Sequence, residues 1–217
     1  VIMAKVKYTE EHYAYWVMQW QRRRDKPAKS LNKALNLFRE INGELIVEIG
    51  SQRTECSDED EEKDCCIDGH SSVLFAEEGV DFFTCDIDAG ASKLLQQILI
   101  SKGLEGNCSV WNADGIEFLQ NAEFPKKIDL LYLDAWDVNP GEQYAQNHLK
   151  AFLVAEPRLN DKHIILIDDT DIVWSDTHGF SIDNTALAGK GELLVPVLLE
   201  RGYKLQWEGR QACFTNY

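Results

Sequence analysis

The sequence predicts an α/β fold: a seven-stranded, mainly parallel sheet with a terminal antiparallel hairpin and N-terminal helices. Three observations carry that expectation. From residue 45 onward, short apolar runs alternate with helical stretches. The chain ends instead on two strand-like runs joined by the tight turn Glu208-Gly209-Arg210. The first 43 residues show only helical periodicity.

Thr9, followed by Glu10 and Glu11, opens a helix that should run to about Asp25, with Tyr13, Trp16, Val17 and Trp20 on one face. Pro27 is expected to break it. Ser30 should cap a second helix carrying Leu31, Ala34, Leu35 and Phe38, ended by Asn42-Gly43. Residues 1–43 thus form a helical extension, and 44–217 the main domain. Its parallel strands are expected at Leu45–Ile49, Asp81–Cys85, Cys108–Asn112, Ile128–Leu133 and His163–Ile167. Helices are expected at Ser71–Glu78, Ala91–Ser101, Gly115–Gln120, Glu142–Glu156 and about Glu192–Arg201. Lys204–Glu208 and Gln211–Thr215 should form the hairpin.

The chain of 217 residues carries a net charge of −15, unevenly spread. Residues 1–43 hold nine Lys/Arg against four Asp/Glu, and the remainder holds 13 against 33. So acidic a body repels polyphosphate, which argues against a nucleic-acid substrate. The basic triplet Arg22-Arg23-Arg24 reads as a solvated helix face. No apolar run approaches the ~18–20 residues of a membrane span. Cys56, Cys65 and Cys66 lie within or beside an acidic run, Glu55 to Asp64; the cysteines lack a standard zinc spacing and the run lacks the EF-hand pattern. We read the six cysteines as reduced thiols in a cytoplasmic protein.

In an open α/β sheet, ligands bind beyond the carboxyl ends of the strands. Strand 1 ends in Glu48-Ile49, followed by Gly50 and Ser51, where a glycine admits close backbone approach. The next helix begins at Gly69-His70-Ser71, whose free N–H groups suit an anion. Asp86 ends strand 2, placed to accept ribose hydroxyls. Asp114 follows strand 3; it suits an adenine amino group and equally suits a helix cap. Strands 4 and 5 end in Asp134-Ala135-Trp136-Asp137 and Asp168-Asp169-Thr170-Asp171. Clustered carboxylates repel, so a divalent cation is their natural partner.

These motifs, in this order, resemble the class I S-adenosylmethionine-dependent methyltransferases, especially the catechol and macrolide-sugar O-methyltransferase-like branches. The resemblance covers about residues 44–217 and implies a Rossmann-like fold. Glu48-Ile49-Gly50 and Gly69-His70-Ser71 match the family's first motif, but 18 residues separate the two glycines where a few are usual. An acidic insertion at about 52–67 accounts for the difference. The resemblance implies a cofactor-binding set of Glu48, Gly50, Ser51, Gly69, Ser71, Asp86, Ile87 and Asp114, with Asp86 on the ribose and Asp114 on the adenine. It implies that Asp134, Asp168 and Asp169 hold magnesium or another divalent cation. The catechol enzymes often use a lysine as base; Asp137 stands in its place.

The expected activity is methyl transfer to a small-molecule acceptor, mainly a hydroxyl, with the metal lowering the hydroxyl's pKa. Asp137 and His178 are the candidate bases. Gly189-Lys190-Gly191 reads as a glycine-rich start to the last helix, with a mobile lid or an anion contact as the other readings. The N-terminal helices read as a cover over the site, or else as a homodimer face. Two other activities fit less well. A nicotinamide dehydrogenase needs Gly-x-Gly-x-x-Gly where Gly50-Ser51-Gln52-Arg53 stands. A nucleic-acid methyltransferase conflicts with the charge and with Leu133-Asp134-Ala135-Trp136. A metal-free N-methyltransferase and a non-catalytic S-adenosylmethionine- or nucleoside-binding protein stay open as alternatives.

Overall fold

Strands β1 (Leu45–Ile49) and β4 (Ile128–Leu133) have every side chain buried, which requires cover on both faces. The computed structural model describes residues 27–53, 71–138, 142–175, 179–183 and 187–217, and it shows that cover. The sheet also contains β2 (Asp81–Asp86), β3 (Cys108–Asn112), β5 (Leu159–Ile167), β8 (Lys204–Trp207) and β9 (Ala212–Thr215). Its order is β3-β2-β1-β4-β5-β9-β8. β1 pairs in parallel with both β2 and β4, Val47 lying between Phe83 and Leu131. β9 runs antiparallel to β5 and β8. Among the expected helices, Thr9–Asp25 lies outside the described residues.

Alternate residues along each strand point to opposite faces, and the helices sort accordingly. Helices α1 (Pro27–Glu40), α2 (Ser71–Glu77) and α3 (Ala89–Lys102) cover one face. Their Leu35, Phe38, Phe75 and Leu95 pack on Ile46, Leu130 and Leu166. Helices α4 (Gly115–Asn121), α5 (Tyr144–Ala155) and α6 (Leu194–Glu200) cover the other. Their Phe118, Phe152 and Leu198 pack on Val47, Leu131 and Ile165.

Three local expectations are corrected. Pro27 begins α1 rather than standing before it, because proline's missing N–H costs nothing in a first helical turn. Ser30 consequently lies inside that helix, and its hydroxyl donates to Gln211 Oε1. β5 starts at Leu159, four residues before the expected His163. The exposed polar run Asn160-Asp161-Lys162 hides this beginning from a hydrophobicity reading. A further antiparallel pair, β6 (Ile172–Ser175) with β7 (Gly179–Ile182), fills a segment whose sequence suggests only loop.

Glu48 is the conspicuous polar residue of the central strand, fully buried at mid-sheet. Its carboxylate accepts from the Ser71 hydroxyl at 2.7 Å, the Ser72 hydroxyl at 2.6 Å and the Thr84 hydroxyl at 2.7 Å. One side chain thereby ties β1 to β2 and to the first turn of α2. Burial pushes its pKa up to about 7, against the lowering effect of the three hydroxyls. The native state then keeps a proton that the unfolded chain releases near its ordinary 4.5, so stability falls as pH rises from about 4.5 to 7. Urea denaturation at pH 5 and pH 8 should show Glu48→Gln losing less stability across this window than wild type, by on the order of 2–3 kcal/mol. Equal losses in the two proteins would show that Glu48 does not titrate there.

Candidate functional site

All five parallel strands deliver their carboxyl ends to one edge, and the strand order reverses between β1 and β4, where the segments beyond them diverge. A cavity of about 170 Å³ opens there. Gly50, Asp86, Ile87 and Asp114, all expected to bind cofactor, line it together with Trp136 and Asp137. Gly50 has φ +93°, and a Cβ on it would lie 2.7 Å from the Asp134 backbone. Only glycine lets the β1 and β4 ends approach this closely.

Asp86 is nearly buried and held by backbone donors: Ser51 N–H at 3.1 Å on Oδ2 and Asp88 N–H at 2.8 Å on Oδ1. A carboxylate offers about four lone-pair positions, so accepting capacity remains. Arg53 uses part of it. Its guanidinium lies 3.6 Å from Asp86 and 3.1 Å from Asp137, bridging the two. Ile87 beside it is 75% exposed, an apolar side chain open to cover by a ligand. Asp114 caps α4 through Oδ1, to Ile116 N–H at 2.9 Å and Glu117 N–H at 3.1 Å. The cap and the adenine readings are therefore compatible, because Oδ2 remains as an acceptor. Glu48 and Ser71 are not in the cavity lining; they face each other in the hydroxyl cage described above. Gly69 and His178 lie outside the described residues, as does the insertion from residue 54 on.

Asp134, Asp168 and Asp169 converge as expected, with one oxygen from each within 4.8 Å of the others. The structure also brings in groups that the sequence pattern does not place there. Lys190 Nζ lies 2.6 Å from Asp134 Oδ1, 3.1 Å from the Asp134 carbonyl and 3.3 Å from Asp169 Oδ2. Arg210 Nε lies 3.5 Å from Asp168, and Gln211 Nε2 donates to the same carboxylate at 2.7 Å. The Tyr132 hydroxyl donates to Asp134 at 3.2 Å and accepts from Gln211 at 2.9 Å. A divalent ion binds oxygens at about 2.0–2.6 Å, so it would lie against the Lys190 ammonium. The oxygens alone suit a cation, but with the Lys190 ammonium among them the triad does not fit a metal.

Burial alone would favour neutral Lys190, but Asp134, Asp169 and Asp168 raise its pKa above the ordinary lysine value. The ammonium is thus held protonated and is no base. Burial and the Asp168 charge push the Asp134 carboxyl well above the usual range, with Lys190 opposing them. His148, which carries no sequence signal of a role, is buried beneath Trp136 with ring centroids 5.3 Å apart, and so supports the cavity wall. Burial takes its pKa down to about 3, so the ring is neutral near pH 7. A Gly-Lys-Gly sequence just before a helix is the one signal that could have located Lys190.

No protein-family profile and no curated protein matches the sequence. Solved structures match the fold. A Staphylococcus aureus protein assigned as a caffeoyl-CoA O-methyltransferase superposes with TM-score 0.61 at 14% identity, over 96% of this chain and 92% of its own. An O-methyltransferase from Bacillus cereus, solved with S-adenosylhomocysteine, gives 0.59 at 13% identity, over 97% and 91%. Magnesium protoporphyrin IX methyltransferase from Synechocystis, solved with S-adenosylmethionine, gives 0.52 at 11% identity, over 97% and 86%. The chain therefore has the fold of the class I S-adenosylmethionine-dependent methyltransferases.

Proposed function

We propose that this protein transfers a methyl group from S-adenosylmethionine to a small-molecule acceptor, without a metal. The observation that carries the reading is the cavity at the β1/β4 divergence, which gathers Gly50, Asp86, Ile87 and Asp114 on one rim. When bound, the cofactor supplies a methyl group on a positively charged sulfur, already activated for attack. Asp86 would accept from the ribose hydroxyls and Asp114 Oδ2 from the adenine amino group, with Ile87 covering a face of the base. Among the described residues, the rim carboxylates outnumber the cations Arg53, Lys190 and Arg210, which favours a cationic ligand.

The remaining task is positioning and proton removal. Asp137 lies on the cavity wall with an exposed carboxylate and is the base we favour for a hydroxyl acceptor. The sequence resemblance implies a metal to acidify that hydroxyl; Lys190 in the triad argues against it. The same observation gives weight to a second reading, an amine acceptor, whose lone pair needs no metal.

Calorimetry should show S-adenosylhomocysteine binding in the micromolar range. Asp86→Ala, checked for folding by circular dichroism, should bind at least about tenfold more weakly, as expected for losing charge-assisted hydrogen bonds. Equal affinities would contradict the ribose assignment. Arg53→Ala frees the Asp86 oxygen that Arg53 approaches at 3.6 Å. That variant should bind at least as tightly as wild type, and a tenfold loss would show instead that Arg53 is itself a cofactor contact. Transfer of labelled methyl to a panel of hydroxyl and amine acceptors tests catalysis; binding without turnover on any acceptor would leave a non-catalytic binding protein.

A further inference from the structure

We propose that Lys190 is the resident cation of the Asp134/Asp168/Asp169 triad, standing where a divalent ion would otherwise bind. The ammonium contacts three oxygens: the Asp134 carboxylate at 2.6 Å, the Asp134 carbonyl at 3.1 Å and Asp169 at 3.3 Å. A mixed set of carboxylates and a backbone carbonyl is what a hard cation selects. The side chain is only 2% exposed, so the charge is fixed inside the cluster and does not wander on the surface.

The backbone is shaped to deliver it. Gly189 has φ +50°, and a Cβ there would lie 2.1 Å from the Asp169 carbonyl. A Cβ on Gly191 already meets Thr170 and Val195 at 3.0 Å. Between them the Lys190 N–H donates to the Asp169 carbonyl at 3.3 Å, and just before them the Ala188 N–H donates to the Thr170 carbonyl at 2.8 Å. The Gly-Lys-Gly turn is thus docked on the segment beyond β5, and its two glycines permit the contact. Asp169 itself adopts φ +49°, a left-handed conformation rare for a residue other than glycine. Both sides of the ion pair are therefore carried on constrained backbone, as expected of a pair that holds a fixed position.

Lys190 accordingly acts as a positioning residue. It fixes the β4 and β5 ends relative to each other, a role that a bound metal would fill. This assignment does not depend on methyl transfer, and its test uses no cofactor.

The experiment is a Mn²⁺ titration read by the electron paramagnetic resonance of free Mn²⁺ and by thermal unfolding. Wild type and Asp134→Asn should respond alike, since the triad takes no metal while Lys190 fills it. Lys190→Ala should gain one Mn²⁺ site per chain, with Tm raised by roughly 5 °C or more at a hundredfold excess over Kd. Adding Asp134→Asn to Lys190→Ala should remove that gain. Lys190→Met, which fills the space without charge, should not bind the ion. Mn²⁺ binding by wild type that Asp134→Asn weakens tenfold would overturn the proposal, as would a folded Lys190→Ala protein that binds no more Mn²⁺ than wild type. If Lys190→Ala does not fold, the comparison of wild type with Asp134→Asn decides alone.

Discussion

A parallel sheet sends every strand end to the same edge, and here those ends carry acids. Glu48, Asp86 and Asp168 are buried at or near that edge and Asp134 is half-buried, and an unpaired buried carboxylate costs several kcal/mol. Each has a different solution. Three hydroxyls surround Glu48. Backbone N–H groups hold Asp86. Lys190 answers Asp134 and Asp169, while Arg210 and Gln211 answer Asp168. The geometry of the rim depends on these pairings, because the donors come from several elements and fix those elements against the strands.

The pairings are also linked. Ser30 in α1 donates to Gln211, which donates to Tyr132 and Asp168; Tyr132 donates to Asp134, and Asp134 holds Lys190. This buried chain runs from the outer helix layer, through the sheet, to the edge of the cavity. Low local dielectric strengthens such a network when every member is satisfied, and makes the loss of one member costly. The cavity wall thus rests on a polar scaffold, with Gly50 and Gly115 admitting the close approaches that bring β1, β4 and α4 together.

Much of this was legible in the sequence. Leu45–Ile49, Cys108–Asn112 and Ile128–Leu133 read directly as strands with the observed bounds, because apolar runs between turn residues have few other interpretations. The rim positions Asp86, Asp114 and Asp134 were legible for a related reason: residues at the carboxyl end of a parallel strand must lie on the ligand-binding edge. Long-range partners escaped. Nothing local marks Lys190 as the ion that reaches Asp134, 56 residues earlier in the chain. Nor does local pattern tell a Glu48 that faces a ligand from one enclosed by Ser71, Ser72 and Thr84. The sequence pattern located the three acids of the triad, but their counter-ion emerged only from the tertiary fold.

A crystal structure of the protein grown with S-adenosylhomocysteine would decide whether the acidic rim holds the cofactor. Ligand density should cross the β1/β4 divergence, with ribose on Asp86, adenine beside Ile87 and Asp114, and the Lys190 ammonium still between Asp134 and Asp169. Ligand bound on another face of the sheet, leaving Asp86 paired with Arg53, would contradict it.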